Sequence, residues 1–290
     1  MSIPDLTGSE LCGAHLRRSL FCIVLLVPPL AGIRAQEAAD HDHDQLHFSH
    51  PLVTESPSPD TKIRVDFIRT QTSGTGGLRE NSIRVEGEYA FNHSISLAVV
   101  TPYISRTAPA AERASGIGNV QLSLKGASFA FAERGVLLGG GLSAGFPTGS
   151  DAKAIGSSHL VELEPFLDAA YKMDALEVVG LASLSSTFRR RAGEEAERNL
   201  RFDFSALYQV QPRIEGLIEV TSARALVGPE SGLQRTLVAP GIKVYPFASR
   251  KIMFGASQFH KATTIVPNTA IANAAKAAIF KILKPTIFDF

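Results

Sequence analysis

From residue 61 onward, apolar and polar residues alternate with a period of two, and this pattern constrains the fold more than any other feature of the sequence. The first alternating segment contains, in order, Lys62, Ile63, Arg64, Val65, Asp66 and Phe67. Successive side chains of a β-strand point to opposite faces, so the pattern predicts strands with one apolar face and one polar face. The chain is therefore expected to be all-β.

The alternating segments are long. Most of them have 10–13 residues, whereas strands of globular proteins most often have about 5–6 and strands that cross a bilayer need about 9–11. The pattern therefore predicts an antiparallel, up-and-down transmembrane β-barrel of about twelve strands. The predicted strands are 61–70, 82–91, 94–103, 117–131, 135–146, 159–171, 175–187, 200–210, 214–224, 234–245, 251–260 and 279–290.

The connections between these segments alternate between short and long. For example, 211–213 is short, whereas 104–116 and 188–199 are long. Outer-membrane barrels combine short periplasmic turns with longer external loops, so the alternation favours that class of protein. The last residue is Phe290, with Phe288 on the same face of the last predicted strand. A terminal aromatic residue of this kind predicts recognition by the outer-membrane assembly machinery.

The first 60 residues differ from the rest of the chain. Residues 1–35 have the features of a secretory signal peptide, because basic residues precede the apolar run 20–33 and the small Ala35 favours cleavage near that position. Residues 36–60 are polar and rich in His, Ser and Pro, which predicts a flexible N-terminal arm. Residues 61–290 would then form the barrel, and the expected location is the bacterial outer membrane.

Charge and cysteine content exclude several other classes of protein. The formal net charge of +1 gives no basic surface for nucleic acid. The two cysteines, Cys12 and Cys22, both lie in the predicted leader, so the mature fold is not expected to depend on disulfides. Beyond the leader, no run reaches 18 uncharged apolar residues, so no transmembrane helix is predicted.

Two short motifs give the chain a family resemblance. Gly116, Gly118 and Asn119 open the fourth predicted strand, and the stretch 141–149 (GLSAGFPTG) closes the fifth. In these motifs the chain resembles the outer-membrane β-barrels of the MetA-pathway phenol-degradation family, which are described as transporters, although Asn119 stands where that family usually has Asp. The resemblance covers roughly residues 61–290. It implies a pore-like protein of the bacterial outer membrane and does not imply phenol as the solute.

The alternation also predicts which side chains line the lumen. Arg or Lys on the lipid face costs about 2–4 kcal/mol near the bilayer midplane, so the charged faces are expected to point inward. The predicted function is a pore or transporter for small or hydrophobic solutes, in contact with outer-membrane lipids and lipopolysaccharide. One alternative is a non-transporting structural or binding protein of the envelope. The predicted lumen-lining residues are Arg64, Glu86, Glu88, Glu162, Glu164, Asp168, Arg201, Asp203, Glu215 and Glu219.

A second alternative is metal binding through the N-terminal arm. Imidazole groups suit divalent transition metals, and four histidines lie close together in the sequence there. These candidate ligands are His41, His43, His47 and His50. No other cofactor is expected.

Enzymatic activity is not predicted. The stretch 141–145 matches the G-x-S-x-G pattern of a catalytic serine. That pattern acts on a sharp turn between a strand and a helix, whereas here it lies within a predicted strand.

Overall fold

The structure is a computed structural model, and it describes residues 16–24, 46, 48–72, 78–107, 113–188, 191, 194, 196–247 and 252–261. These residues form an all-β fold. No helix among them is long and apolar enough to cross a membrane. Their strands are β1 (Leu16–Val24), β2 (Lys62–Thr72), β3 (Arg79–Asn92), β4 (Ile95–Thr107), β5 (Ala114–Ile117), β6 (Val120–Phe131), β7 (Val136–Phe146), β8 (Val161–Met173), β9 (Leu176–Phe188), β10 (Arg198–Gln211), β11 (Ile214–Val227), β12 (Gln234–Val244) and β13 (Met253–Lys261).

Strands that follow one another in sequence pair in antiparallel fashion from β2 to β13. β5 and β6 both pair with β4, so they act as one strand interrupted at Gly118 and Asn119. β1 pairs with β2 on one side and with β13 on the other, and the pairings therefore return to their starting strand. When β5 and β6 are counted as one strand and β1 is included, twelve strands surround the interior. This confirms the predicted all-β, up-and-down fold.

Eleven of the twelve predicted strands overlap the strands β2 to β13. The twelfth prediction, 279–290, lies outside the described residues. The position beside β13 is filled by Leu16–Val24, which belongs to the predicted leader. Cleavage near Ala35 stays a prediction, and it would remove this strand from the mature chain.

The connections divide the barrel into two edges. The turn edge carries the connections 93–94, 132–135, 174–175, 212–213 and 245–252. The loop edge carries 73–78, 108–113, 147–160, 189–197 and 228–233. The predicted alternation of lengths therefore holds except at 245–252, which is longer than the other connections of the turn edge. β2 begins at the turn edge, so the segment before Lys62 reaches the barrel from that side.

The two faces of the wall differ in polarity. In β10, Asp203 and Ser205 are buried, whereas Phe202, Phe204 and Tyr208 are 52%, 44% and 56% exposed. The same alternation occurs in β2, where Ile63 and Phe67 are exposed between buried charged residues. Apolar side chains thus cover the outer face of the wall, as the period-two pattern predicts.

Candidate functional site in the barrel lumen

Residues 48–60, here called the enclosed segment, lie inside the ring of strands. Phe48 is fully buried and Leu52 is 1% exposed. The segment forms hydrogen bonds or ion pairs with side chains of β2, β3, β6, β9, β10 and β11, which stand on different sides of the ring. The sequence predicts a flexible arm here, whereas the described part of that arm fills the half of the lumen nearest the turn edge.

An apolar patch on the inner wall explains why the segment is held. Phe48 and Leu52 pack into one buried cluster with wall residues from β7 to β13. Gly255 of β13 lies directly beneath Leu52, and a Cβ atom at this position would overlap the leucine side chain. Burying a leucine or phenylalanine side chain contributes about 1.5–3 kcal/mol. The wall residues of the cluster include Leu137, Val179, Leu207, Leu217, Leu237, Ala239 and Met253.

Wall carboxylates accept hydrogen bonds from the backbone of the enclosed segment. The N–H of Ser49 donates to Glu177 Oε2 at 2.7 Å. The N–H groups of Val53 and Thr54 both donate to Glu219 Oε1, at 2.9 and 3.3 Å. These bonds give partners to backbone donors that have left water, and such buried donors are costly when unpaired.

A lysine–glutamate cluster, formed by Glu55, Lys62, Glu86, Glu88 and Lys125, joins the segment to β2, β3 and β6. Lys125 Nζ lies 3.0 Å from Glu55 and 2.8 Å from Glu88. Lys62 Nζ lies 2.8 Å from Glu88 and 3.5 Å from Glu86. Burial raises the pKa of Glu55, but Lys125 and Lys62 outweigh this effect and hold the pKa well below its usual value. The three carboxylates offer atoms within 4.8 Å of one another, as a cation site would require, and each of them already forms an ion pair with Lys62 or Lys125.

His50 is the one predicted metal ligand within the described residues. Its Nε2 lies 3.2 Å from Asp60 Oδ2, and its Nδ1 lies 3.1 Å from Lys62 Nζ. Burial, assisted by the nearby Lys62 ammonium, lowers the pKa of His50 to about 4. His41, His43 and His47 lie outside the described residues, so metal binding by the four histidines stays a prediction.

A chamber of about 130 Å³ lies on the loop-edge side of the enclosed segment, with Val53 and Glu55 forming part of its floor. Arg201 Nη2 lies 3.2 Å from Glu164 Oε1, and Arg84 Nη2 lies 3.4 Å from Asp66 Oδ2. The charges of the lining balance. Its charged residues are Glu55, Arg84, Glu86, Lys125, Glu164 and Arg201.

The predicted lumen-lining residues divide into three groups. The half-buried Glu164 and Arg201 line the chamber, as does the buried Glu86, and Glu162, two residues closer to the loop edge than Glu164, is exposed. Solute contact by any member of the set stays a prediction. The remaining seven are buried in the lumen: Arg64, Glu86, Glu88, Asp168, Asp203, Glu215 and Glu219.

Sequence reasoning missed several buried charged groups of the lumen. Lys243 of β12 lies 2.9 Å from Glu215, and it alternates with the apolar Ile242 and Val244. Lys62 also follows the period-two pattern. Extending that pattern to every strand would have found both lysines. Glu55 carries no such signal, because it lies outside the strands.

The two motifs that carry the family resemblance meet at the loop edge. Asn119 Oδ1 accepts hydrogen bonds from the N–H groups of Gly149 and Ser157, at 3.2 and 2.8 Å. Thr148 Oγ1 donates to the carbonyl of Gly118 at 2.8 Å. The motifs therefore fix the connection 147–160 to the interruption between β5 and β6, which is a structural role.

Ser143, the centre of the G-x-S-x-G pattern, lies within β7 and points into the lumen. Its hydroxyl forms a hydrogen bond with the Ser123 hydroxyl of β6 at 2.7 Å. The extended backbone at this position lacks the turn that a catalytic serine of this pattern needs.

The comparisons with known proteins found similarity among solved structures. No family model matches the chain, and no curated protein matches it. Among solved structures, the chain is similar to an outer membrane channel from Pseudomonas putida F1, with 11% identity, coverage of 90% of this chain and 100% of that chain, and a TM-score of 0.47. The resemblance to the MetA-pathway family is not confirmed by these comparisons.

Proposed function

We propose that the protein is an outer-membrane channel for small polar solutes and that the enclosed segment closes it. The exposed apolar face of the wall suits contact with lipid tails. Most of the strands have 11–14 residues, which suffices to cross a bilayer. In the ring that Leu16–Val24 completes, each wall strand other than the short β5 has a paired neighbour on each side, so the backbone groups of these strands are satisfied without water.

One observation carries the closing role: the enclosed segment lies in the half of the lumen nearest the turn edge without belonging to the wall. Within the described residues, no strand pairing joins 48–60 to β2–β13. The segment is held by side chains such as Lys125 and Glu219. It can therefore leave without breaking a hydrogen bond between wall strands.

The size of the ring supports an open path once the segment has left. Side chains just fill the interior of a barrel with eight strands. A ring of twelve strands has a wider interior, and here the enclosed segment occupies part of that space. The charged chamber next to the segment favours polar solutes over the hydrophobic ones that the sequence also allowed.

Conductance in planar bilayers tests this proposal. The mature protein is compared with a variant in which residues 48–60 are replaced by a Gly-Ser linker of equal length. We expect small or rare openings from the unaltered protein and larger, steady openings from the linker variant. A variant with the enclosed segment intact and Arg235→Gln, which removes an exposed ion pair with Glu230 at the loop edge, serves as the control.

A second candidate function is a structural or binding protein with a permanently blocked lumen, which the complete burial of Phe48 favours. If the linker variant is folded and inserted, as shown by circular dichroism and heat-dependent gel mobility, yet carries no current, the channel proposal fails. The second candidate then stands.

Outer-membrane lipids and lipopolysaccharide are the partners that this location implies. The loop edge would face lipopolysaccharide in a barrel whose turn edge faces the periplasm. Arg191 lies at that edge, with Nη2 3.5 Å from Asp151 Oδ2. Recognition of Phe290 by the assembly machinery remains part of the same proposal.

A further inference from the structure

Building on the proposed function, we infer that the opened channel selects small cations over anions. Nine acidic side chains of the wall are buried in the lumen or line the chamber, against six basic ones. When all of them are ionised, the wall carries a net charge of −3 there. This charge belongs to the strands, so it remains when the enclosed segment leaves.

Each of the six basic side chains has an acidic partner on the wall itself. These ion pairs do not depend on the enclosed segment, so the basic groups stay neutralised in the open channel. A further lysine, Lys172, pairs with Glu177 at 2.7 Å and has 41% of its side chain exposed. The six pairs are Lys62 with Glu88 at 2.8 Å, Lys125 with Glu88 at 2.8 Å, Arg64 with Asp66 at 2.8 Å, Arg84 with Asp66 at 3.4 Å, Arg201 with Asp203 at 3.0 Å and Lys243 with Glu215 at 2.9 Å.

Asp168 has no such partner. It is 4% exposed, and neither of its carboxylate oxygens forms a hydrogen bond or an ion pair with another described residue. Lys125 acts on it over a longer distance and is itself paired with Glu88. The enclosed segment lies beside it, because a Cβ atom at Gly139 would be 2.5 Å from Asp168 Oδ1 and 3.3 Å from the Cβ of Pro57. Departure of the segment therefore opens the surroundings of an unpaired carboxylate to water.

Glu219 also forms no ion pair within the described part of the chain. Its Oε1 accepts hydrogen bonds from the N–H groups of Val53 and Thr54 and from the Ser205 hydroxyl, whereas its Oε2 has no donor among the described residues. Two of these three donors belong to the enclosed segment. Their partial positive charges occupy the side of the carboxylate that a hydrated cation would take in the open channel.

The two unpaired carboxylates act on the same stretch of the lumen. The strand pairings lead from Asp168 through Leu181 and Asp203 to Thr221, which is two residues from Glu219. Neighbouring strands lie about 4.8 Å apart, so the two carboxylates are within about 15 Å of each other along the wall. Charges at this spacing influence one another's surroundings, since the Debye length is about 10 Å at 0.1 M salt.

A negative lumen favours cations for an electrostatic reason. Carboxylates that water reaches are ionised at neutral pH. Charge of one sign on the walls of a narrow cleft raises the local concentration of the opposite ion about tenfold or more. Cations are thereby enriched in the lumen, and anions are depleted.

The reversal potential of the linker variant in planar bilayers tests the inference. The two sides hold KCl at about 0.1 M and about 0.5 M, so that screening stays moderate. K⁺ and Cl⁻ move at similar rates in water, and the reversal potential therefore gives their permeability ratio in the channel. We expect K⁺ to be about tenfold more permeant than Cl⁻.

The possible failures are distinguishable. Equal permeability of the two ions, or a preference for Cl⁻, would overturn the inference and leave the channel in place. No current from a folded and inserted linker variant would overturn the proposed channel, and the inference with it.

Two substitutions in the linker variant test the assigned residues. Asp168→Asn with Glu219→Gln removes both unpaired carboxylates and keeps the shapes of the side chains. We expect the ratio of K⁺ to Cl⁻ permeability to fall several-fold, with folding checked by circular dichroism and heat-dependent gel mobility. If the ratio is unchanged, these carboxylates do not set the selectivity.

The matched control removes the same two charges outside the lumen. Glu133 and Asp174 are exposed on turns of the turn edge, where salt screens their fields. Glu133→Gln with Asp174→Asn in the linker variant should leave the permeability ratio as it was. An equal fall in this control would assign the selectivity to the overall charge of the protein and not to the lumen.

Discussion

The hydroxyl of Ser205, on the wall strand β10, forms a hydrogen bond of 2.5 Å with the hydroxyl of Thr54. This bond crosses from the wall to the enclosed segment. Ser205 also donates to Glu219 Oε1 at 3.0 Å, and Glu219 accepts from the backbone of Val53 and Thr54. The buried carboxylate of Glu219 thus joins β10 and β11 to the middle of the enclosed segment. At this point Thr54 and Ser205 lie close enough for a covalent bridge between their side chains.

A disulfide at this point should lock the channel. The mature chain has no cysteine if the predicted leader is removed, so Thr54→Cys with Ser205→Cys forms the only available pair. Side-chain oxygens 2.5 Å apart place the two β-carbons within reach of a disulfide. We expect conductance to disappear in the oxidised protein and to return after reduction with dithiothreitol.

The control for the lock is a disulfide between two wall strands. Ser222 of β11 and Thr236 of β12 are paired neighbours with hydroxyls 3.2 Å apart, and neither touches the enclosed segment. A bridge there should leave openings unchanged. If oxidation of the Thr54 and Ser205 pair leaves full openings, the segment does not have to leave its site for conduction.

Gly255→Val should expel Leu52 from its site. A Cβ atom at residue 255 overlaps the Leu52 side chain, and losing the burial of one leucine costs about 2 kcal/mol. The population of released segment should then rise about thirtyfold. Glu-C protease reports this, because it cuts after Glu55, and we expect a correspondingly faster cleavage at that residue.

Gly87→Val is the matched control for this variant. Gly87 lies on β3 and faces the outside of the wall, and a Cβ atom there meets nothing within 4 Å. Its rate of cleavage after Glu55 should equal that of the unaltered protein. Equal rates for both variants would show that Leu52 does not anchor the segment.

Acid should weaken the hold on the enclosed segment. Burial lowers the pKa of His50 from an ordinary value of 6.5 to about 4, with Lys62 and Lys125 lowering it further and Asp60 and Glu88 opposing them. Between these two values a released segment takes up a proton that the enclosed one does not, so stability of the enclosed state is lost as pH falls from 6.5 toward 4. The full effect is on the order of 3 kcal/mol. We expect the open fraction in planar bilayers to rise over this range.

The effect of His50 on acid opening can be separated from that of Glu55. The pKa of Glu55 is held below its usual value of 4.5, so its contribution is lost only below that pH and does not affect the upper part of the range. His50→Gln should therefore flatten the response between pH 6.5 and 5, whereas His93→Gln, in an exposed turn, should not. An unchanged response in His50→Gln would assign acid opening to another group.

The strands of the wall could be predicted because their pattern is local. Alternation such as that of Arg201, Phe202, Asp203 and Phe204 sets which face meets lipid, whatever the partner strand. The burial of Phe48 and Leu52 could not be predicted in this way. Two apolar residues in a polar segment are ordinary in a flexible arm, and the patch that receives them includes Val179, in a strand where apolar residues occupy both faces.

The lining of the chamber could likewise be predicted only in part. Glu164 and Arg201 were predicted to face inward from their own strands. That they meet at 3.2 Å, two strands apart, depends on the curvature of the whole sheet. The charge of an inward face is readable from the sequence, but the pairs that form across a lumen are not.

The position between β2 and β13, here called the seam, must hold a strand for the barrel to close. In the full chain, Leu16–Val24 pairs with both strands and Phe67 of β2 stands opposite Phe21. Removal of residues 1–35 would leave two strand edges unpaired in lipid, where each unsatisfied backbone group costs several kcal/mol. The predicted strand 279–290 follows β13 in sequence, and a strand antiparallel to β13 would run in the direction needed to take the same place. We therefore expect it to close the seam in the mature protein.

A photo-cross-linker tests this exchange of strands. Benzoylphenylalanine in place of Phe67 should link to a peptide from 279–290 in protein isolated from outer membranes, and to a peptide from 16–24 in a full-length protein refolded with its leader. The same group at Phe204, which faces outward between β9 and β11, should link to those strands in both proteins. Mature protein whose Phe67 position links to lipid alone would have an open seam, and mature protein that links to residues 16–24 would have kept its leader as a wall strand.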